Sequence, residues 1–183
     1  GGIWLKTQVT LKITNSTVSG NSVTGSGRNL GGGMFIQDST TTLDLTNSTI
    51  SNNSVIGGSQ NTAGGIYANS GPTNFRNSIV SGNTAVSNPD FNSALTVNDS
   101  NLIGNPGQVL LAPLGFYGGA TMTHALLSGS TAINTGNNCV TGQTCTGFNA
   151  AGSLPADQRG SPRVGNADIG AFELNSSANG GTY

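Results

Sequence analysis

Charge is almost missing from this sequence. Lysine and arginine together number six, aspartate and glutamate seven, and the net charge over 183 residues is −1. A chain this neutral has no basic stripe to follow a phosphate backbone and no polybasic segment for an anionic bilayer. Neither nucleic acid nor a membrane surface is expected as a partner. Long apolar runs are missing too: no stretch approaches the ~20 residues needed to cross a bilayer, so membrane insertion is not expected. Histidine occurs once and cysteine twice, too few to complete a structural zinc site without borrowed ligands. No cofactor and no metal are expected. No window carries apolar residues at a 3.6-residue period, which excludes helical repeats.

What fills the chain instead is Gly (29), Asn (23), Thr (22) and Ser (21), more than half of all residues. Such a polar mixture suggests disorder only when net charge is high and apolar residues are scarce. Here Val, Ile and Leu recur at regular spacing, and the length suits one domain. Three near-identical heptapeptides stand out: "NSTVSGN" from residue 15, "NSTISNN" from 47 and "NSIVSGN" from 77. The intervals are 32 and 30 residues, and a weaker copy, "DSNLIGN", begins at Asp99. A Gly-Gly pair opens each unit in "GGIWL", "GGMFI" and "GGIYA". The chain starts inside such a unit and reads as a mature product or a piece of something longer. A fixed period in this range marks a repeat architecture.

Between the markers the pattern alternates. In "VTLKIT", Val9, Leu11 and Ile13 share one face; Leu43 and Leu45, then Phe75, take the same places in later units. The neighbouring column runs Lys12, Asp44, Asn74 and is expected to face water. Alternation with one apolar face is the signature of half-buried strands. Strands recurring once per turn predict an all-β parallel β-helix of about four coils over 1–108, stacked at ~4.8 Å. Residues 109–183 are expected to form an irregular C-terminal cap packed on it. Glycines are expected at corners that need positive φ.

In this arrangement Asn15, Asn47 and Asn77 stack, and an amide ladder along the column is expected. The alternative is glycan attachment, since Asn15, Asn47, Asn52, Asn98 and Asn175 each begin an N-x-S/T sequon. Structure is favoured, because such sequons are common by chance in this composition. Trp4, Phe35 and Tyr67 form a second aligned column, flanked by apolar residues that point inward. Alternation sends these aromatics outward, where they either stiffen the stack or hold sugar rings.

From about residue 109 the repeat yields to other phrases. Cys139 and Cys145 in "CVTGQTC" are read as a local disulfide of an exported protein, with a free thiol pair as the alternative. Asp157, Arg159, Arg163, Asp168 and Glu173 place five charged residues within seventeen positions. They are expected to fasten an irregular lid over the last coil through charge-assisted hydrogen bonds. Calcium binding through Asp157, Asp168 and Glu173 is opposed by the nearby arginines.

The phrases "PLGFYGGATMTHALLSGSTAINTG", "ADQRGSPR" and "ADIGAFE", following such coils, resemble bacterial surface proteins of the choice-of-anchor Q group. That group is similar to right-handed parallel β-helices of the polymorphic outer-membrane-protein and pectate-lyase type. The resemblance spans nearly the whole chain and is most specific in its C-terminal third. It implies a β-helix outside the cell or on a bacterial surface and no established activity. The chain departs from the group's pattern at Asn134, where the usual phrase has Asp, and at Ala167, where Cys commonly precedes the Asp-Ile-Gly-Ala motif.

Glycan hydrolysis needs two carboxyl groups flanking one bond, and β-elimination needs a base with cation help. The coils offer only Asp38, Asp44, Asp90 and Asp99, and Asp44 shares its column with Lys12 and Asn74, so no acidic cluster is expected there. His124 has no cysteine nucleophile nearby, and a Ser–His–Asp arrangement would rest only on the abundance of Ser, so a hydrogen-bonded structural His is expected. The expectation is therefore a non-enzymatic scaffold or fibre subunit. A carbohydrate-binding adhesin is the alternative and a polysaccharide lyase the second. No lid is expected ahead of the first coil. That coil is expected to be covered by self-association end to end or by upstream coils of a longer chain.

Overall fold

Each turn of the chain lays down short strands that pair only with their counterparts one turn away. Residues 1–147 and 153–175 are described by the structure, a computed structural model. The first coil holds β1 (Ile3–Leu5), β2 (Thr10–Thr14), β3 (Thr17–Ser19) and β4 (Ser22–Thr24). The second holds β5 (Arg28–Leu30), β6 (Met34–Ile36), β7 (Thr42–Thr46), β8 (Thr49–Ser51) and β9 (Ser54–Ile56). The third has β10 (Gln60–Thr62), β11 (Ile66–Ala68), β12 (Thr73–Arg76) and β13 (Ile79–Val80), and the fourth β14 (Val97–Asp99) and β15 (Leu102–Ile103). The sheets run β1-β6-β11, β2-β7-β12-β14, β3-β8-β13-β15, β4-β9 and β5-β10, parallel throughout. This is the all-β parallel β-helix expected from the alternation.

Inward columns make the core: Met34 and Ile66; Leu43; Leu45 and Phe75; Ile50 and Val80. The fourth coil is contracted. Thr84 lies over Ser54 and Ser87 already over Thr62, so three steps of chain cover what took eight a turn earlier. The shortened path draws Phe91 across the core, 5.3 Å from the Phe75 ring. In this coil Asp99 pairs with Arg76, which puts Ser100 rather than Asp99 in the place of Asn77.

The glycine pairs serve a purpose other than positive φ. A Cβ on Gly64 would lie 2.3 Å from Thr84 O, and one on Gly33 would lie 3.0 Å from Asn53 Nδ2. Glycine is required there because neighbouring backbone and amide groups fill the space a side chain would occupy. The left-handed corners are shared: Asn15, Asn47 and Asn77 take one, with φ of 45, 46 and 47°, while Gly20 and Gly82, with φ of 72 and 76°, take another as expected.

Among the described residues, the C-terminal segment is not laid as a lid across the last coil, the placement expected from sequence. After β15 the chain doubles back and lies along the flank, over the outer face of β3-β8-β13-β15. Ile79 and Leu102 on that face join Val109, Ala125, Leu126, Ile169 and Phe172 in a second core. Two antiparallel bridges, Leu111 to Leu126 and Gly115 to Thr123, shape this strap. A short helix, α1 (Cys139–Gly142), is closed by a disulfide between Cys139 and Cys145 with an S–S distance of 2.05 Å. The column expected to face water is also partly covered: Asp44 is 4% exposed and Asn74 donates to it at 2.8 Å.

Candidate functional site

The heptapeptide opens and closes on asparagines with different tasks, and the ladder is on the one not expected. Asn15, Asn47 and Asn77 do not bond one another. Their positive φ, which Asn tolerates better than most residues, turns each amide outward to the strap. Asn15 Nδ2 donates to Ala156 O at 2.8 Å. Asn77 donates to Asn137 O at 3.0 Å and accepts from Asn137 N at 2.7 Å, mimicking a strand partner. Asn47, its amide turned so that acceptor meets donor, takes Arg163 Nη1 and Nη2 at 3.3 and 3.2 Å.

The seventh residue of each phrase builds the ladder. Asn21 Nδ2 donates to Asn53 Oδ1 at 2.9 Å, and Asn53 Nδ2 to Asn83 Oδ1 at 2.9 Å. Asp90 closes the series, accepting Asn83 N and Nδ2 on one oxygen at 2.9 and 2.8 Å. A carboxylate only accepts, so the last amide donor is matched and none is passed on. The signal for this ladder was present in sequence, since the closing Asn recurs as faithfully as the opening one.

The charged cluster ties segments of the strap to one another and to the first and second coils. Asp157 Oδ2 takes Arg159 Nη2 at 2.7 Å and Glu173 N at 2.9 Å, while its Oδ1 takes Arg159 N and Ser161 N. The Arg159 guanidinium lies 3.5 Å from the centre of the Phe172 ring. Arg163 pairs with Glu173 Oε2 at 3.0 Å and reaches Asn15 Oδ1 at 3.1 Å. Asp168 accepts Asn134 N at 2.7 Å and is pushed up to about 6, chiefly by burial. With their acceptor positions turned to backbone N–H and guanidinium groups, these carboxylates do not converge on a cation site. A further pair, buried Arg76 with half-buried Asp99 at 2.7 Å, fastens the fourth coil. Burial alone would raise Asp99, but Arg76 and Asn137 outweigh it and hold it low.

His124 is fully buried on the strap, its Nε2 2.8 Å from Ser19 Oγ and its Nδ1 2.8 Å from Ala112 O. These partners assign the proton to Nδ1 and make Nε2 the acceptor of the hydroxyl. Burial pushes the ring below its ordinary value, consistent with a neutral fastener.

The aromatic column forms in the expected register, Trp4 beside Phe35 beside Tyr67. Trp4 is 60% exposed, and ring centroids are 6.4 and 5.6 Å apart along the row. Arg28 Nη2 donates to the Tyr67 hydroxyl at 2.9 Å, and Lys6 sits 5.8 Å from the Trp4 ring. A recess of about 380 Å³ opens beside the row, lined by Ile3, Trp4, Val23, Arg28, Leu30 and Phe35. No protein family, curated protein or solved structure matches the chain.

Proposed function

We propose that this chain is a structural β-solenoid module, a scaffold or fibre element working outside the cell or on a bacterial surface. One observation carries the reading: a single flanking strap engages the same corner in every coil, and its charged and amide groups are used in that engagement. Asn137 meets Asn77 and Asp99, Ala171 N donates to Thr49, and Arg163 meets Asn15. Side chains held this way brace a shape and leave no carboxyl pair aimed at a shared bond. The Cys139–Cys145 disulfide suits an oxidising compartment, and the resemblance to choice-of-anchor Q proteins points the same way. Antibody labelling of intact source cells, with polyuronate and neutral glycan digests by purified protein, tests it. Surface labelling without product release is expected. Release of unsaturated uronates or new reducing ends, or an exclusively intracellular signal, overturns it.

The second reading, a carbohydrate-binding module, rests on the exposed Trp4 and its row. On a glycan array it requires binding that falls in Trp4→Ala and Tyr67→Ala.

A further inference from the structure

The Asn ladder has a direction. At every step the residue nearer the first coil donates and the residue nearer the last coil accepts. Asn21 N and Nδ2 both go to Asn53 Oδ1, and Asn53 N and Nδ2 both go to Asn83 Oδ1. The serine column beside it obeys the same sense: Ser16 N donates to Ser48 Oγ, Ser48 N to Ser78 Oγ, and Ser78 N to Asn101 Oδ1. The two ends of the stack therefore differ in chemistry. At the last coil the series is closed by Asp90. At the first coil it is open: among the described residues nothing donates to Asn21 Oδ1. The same coil carries Ile3, Leu5, Leu11 and Val18, core residues left half-exposed where their counterparts Met34, Ile36, Leu43 and Ile50 are buried.

Resting on the structural reading above, we infer that the open face of the first coil docks a parallel β-coil of this same repeat type, one presenting a backbone N–H and a side-chain amide N–H over Asn21. The match follows from continuing the interface already formed three times within the stack. A head-to-tail second copy does not supply it. Its last coil is contracted, and the donors of its ladder end on Asp90. End-to-end self-association, expected from sequence, thus lacks one of its two faces.

The test adds a coil to the full chain. A copy of residues 32–63 placed directly ahead of Gly1 is in register, because Gly64 follows Ala63 in the natural stack and Gly1 aligns with Gly32. A parallel fusion carries Asn53→Asp in the grafted copy only, which sets a carboxylate against the Asn21 oxygen. Hydrogen exchange of the β1, β2 and β3 amides is followed in the parent and in both fusions. The expected result is at least about tenfold slower exchange in the first fusion, equivalent to about 1.4 kcal/mol, with most of that gain lost in the second. Light scattering of the unmodified chain at high concentration should show a monomer. Unprotected first-coil amides in the Asn fusion, equal protection in both fusions, or head-to-tail polymers of the parent would each overturn the inference. None of these outcomes bears on whether the protein cleaves glycans, so the structural reading stands or falls separately.

Discussion

Replacing Asn53 by alanine removes the middle rung of the ladder, and the structure sets the size of the effect. The side chain is 1% exposed. Its Nδ2 serves Val18 O, Ser51 O and Asn83 Oδ1 at 2.9, 3.0 and 2.9 Å, and its Oδ1 receives Asn21 N and Nδ2 at 3.0 and 2.9 Å. A small apolar substitute strands several of these groups where water has little access. At about 1–3 kcal/mol for each buried group left unpaired, and with Asn83 Oδ1 still holding the residue-53 backbone N–H, the loss is about 3–5 kcal/mol. For a domain of this size that lowers the midpoint of thermal unfolding by about 6–20 °C. The adjacent Asn52 is the internal control. It is exposed, has φ of 56°, and occupies the corner where the flanking coils carry Gly20 and Gly82. Asn52→Gly should shift stability by no more than about 0.5 kcal/mol. Equilibrium urea unfolding of the three proteins at pH 7 makes the comparison. An Asn53→Ala loss below about 1 kcal/mol, or equal losses at the two positions, refutes the ladder as a source of stability.

Gly64→Ala should destabilise strongly, because its Cβ would meet Thr84 O at 2.3 Å, whereas Gly27→Ala meets nothing within 4 Å and should be tolerated; urea midpoints distinguish them. Replacing Cys139 and Cys145 together by serine opens a short loop and should cost about 2 kcal/mol by chain entropy, read by calorimetry with and without reductant. His124 titrates lower when folded than unfolded, so its contribution is complete above about pH 6.5 and is lost as pH falls through the depressed folded value. Asp168 works in the opposite sense: its folded value of about 6 exceeds the ordinary 3.8, so its contribution is complete below 3.8 and is lost as pH rises to about 6. Urea midpoints between pH 7 and 4 should show a flatter acid loss in His124→Gln than in the parent, whatever its absolute stability.

The period, the parallel stack, the aromatic register and the disulfide could be read from residues because each is a local or periodic property. Recurrence at residues 15, 47 and 77 said which positions are equivalent but not which way they point. Alternation breaks at the corners, and there φ decides: the left-handed bend throws Asn47 outward and leaves Asn53 inside. The strap was misplaced for a different reason. Its contacts join Asn15 to Arg163 and Ser19 to His124, across more than a hundred residues with no periodic trace. Alternation places Asp44 outward in "TLDLT" but does not report burial, and Asp44 is 4% exposed with Asn74 donating to it.

A stack of coils in which each touches only its neighbours behaves as a one-dimensional chain, melting from its ends one unit at a time. The flanking strap changes that dimensionality. Every coil shares contacts with one common element, so fraying the first coil also releases bonds to Ala156, Gln158 and His124, and these belong to the fold that holds the second and third. Long-range coupling of this kind turns a progressive unzipping into a single cooperative transition. Load applied at one end is accordingly carried by all four coils at once.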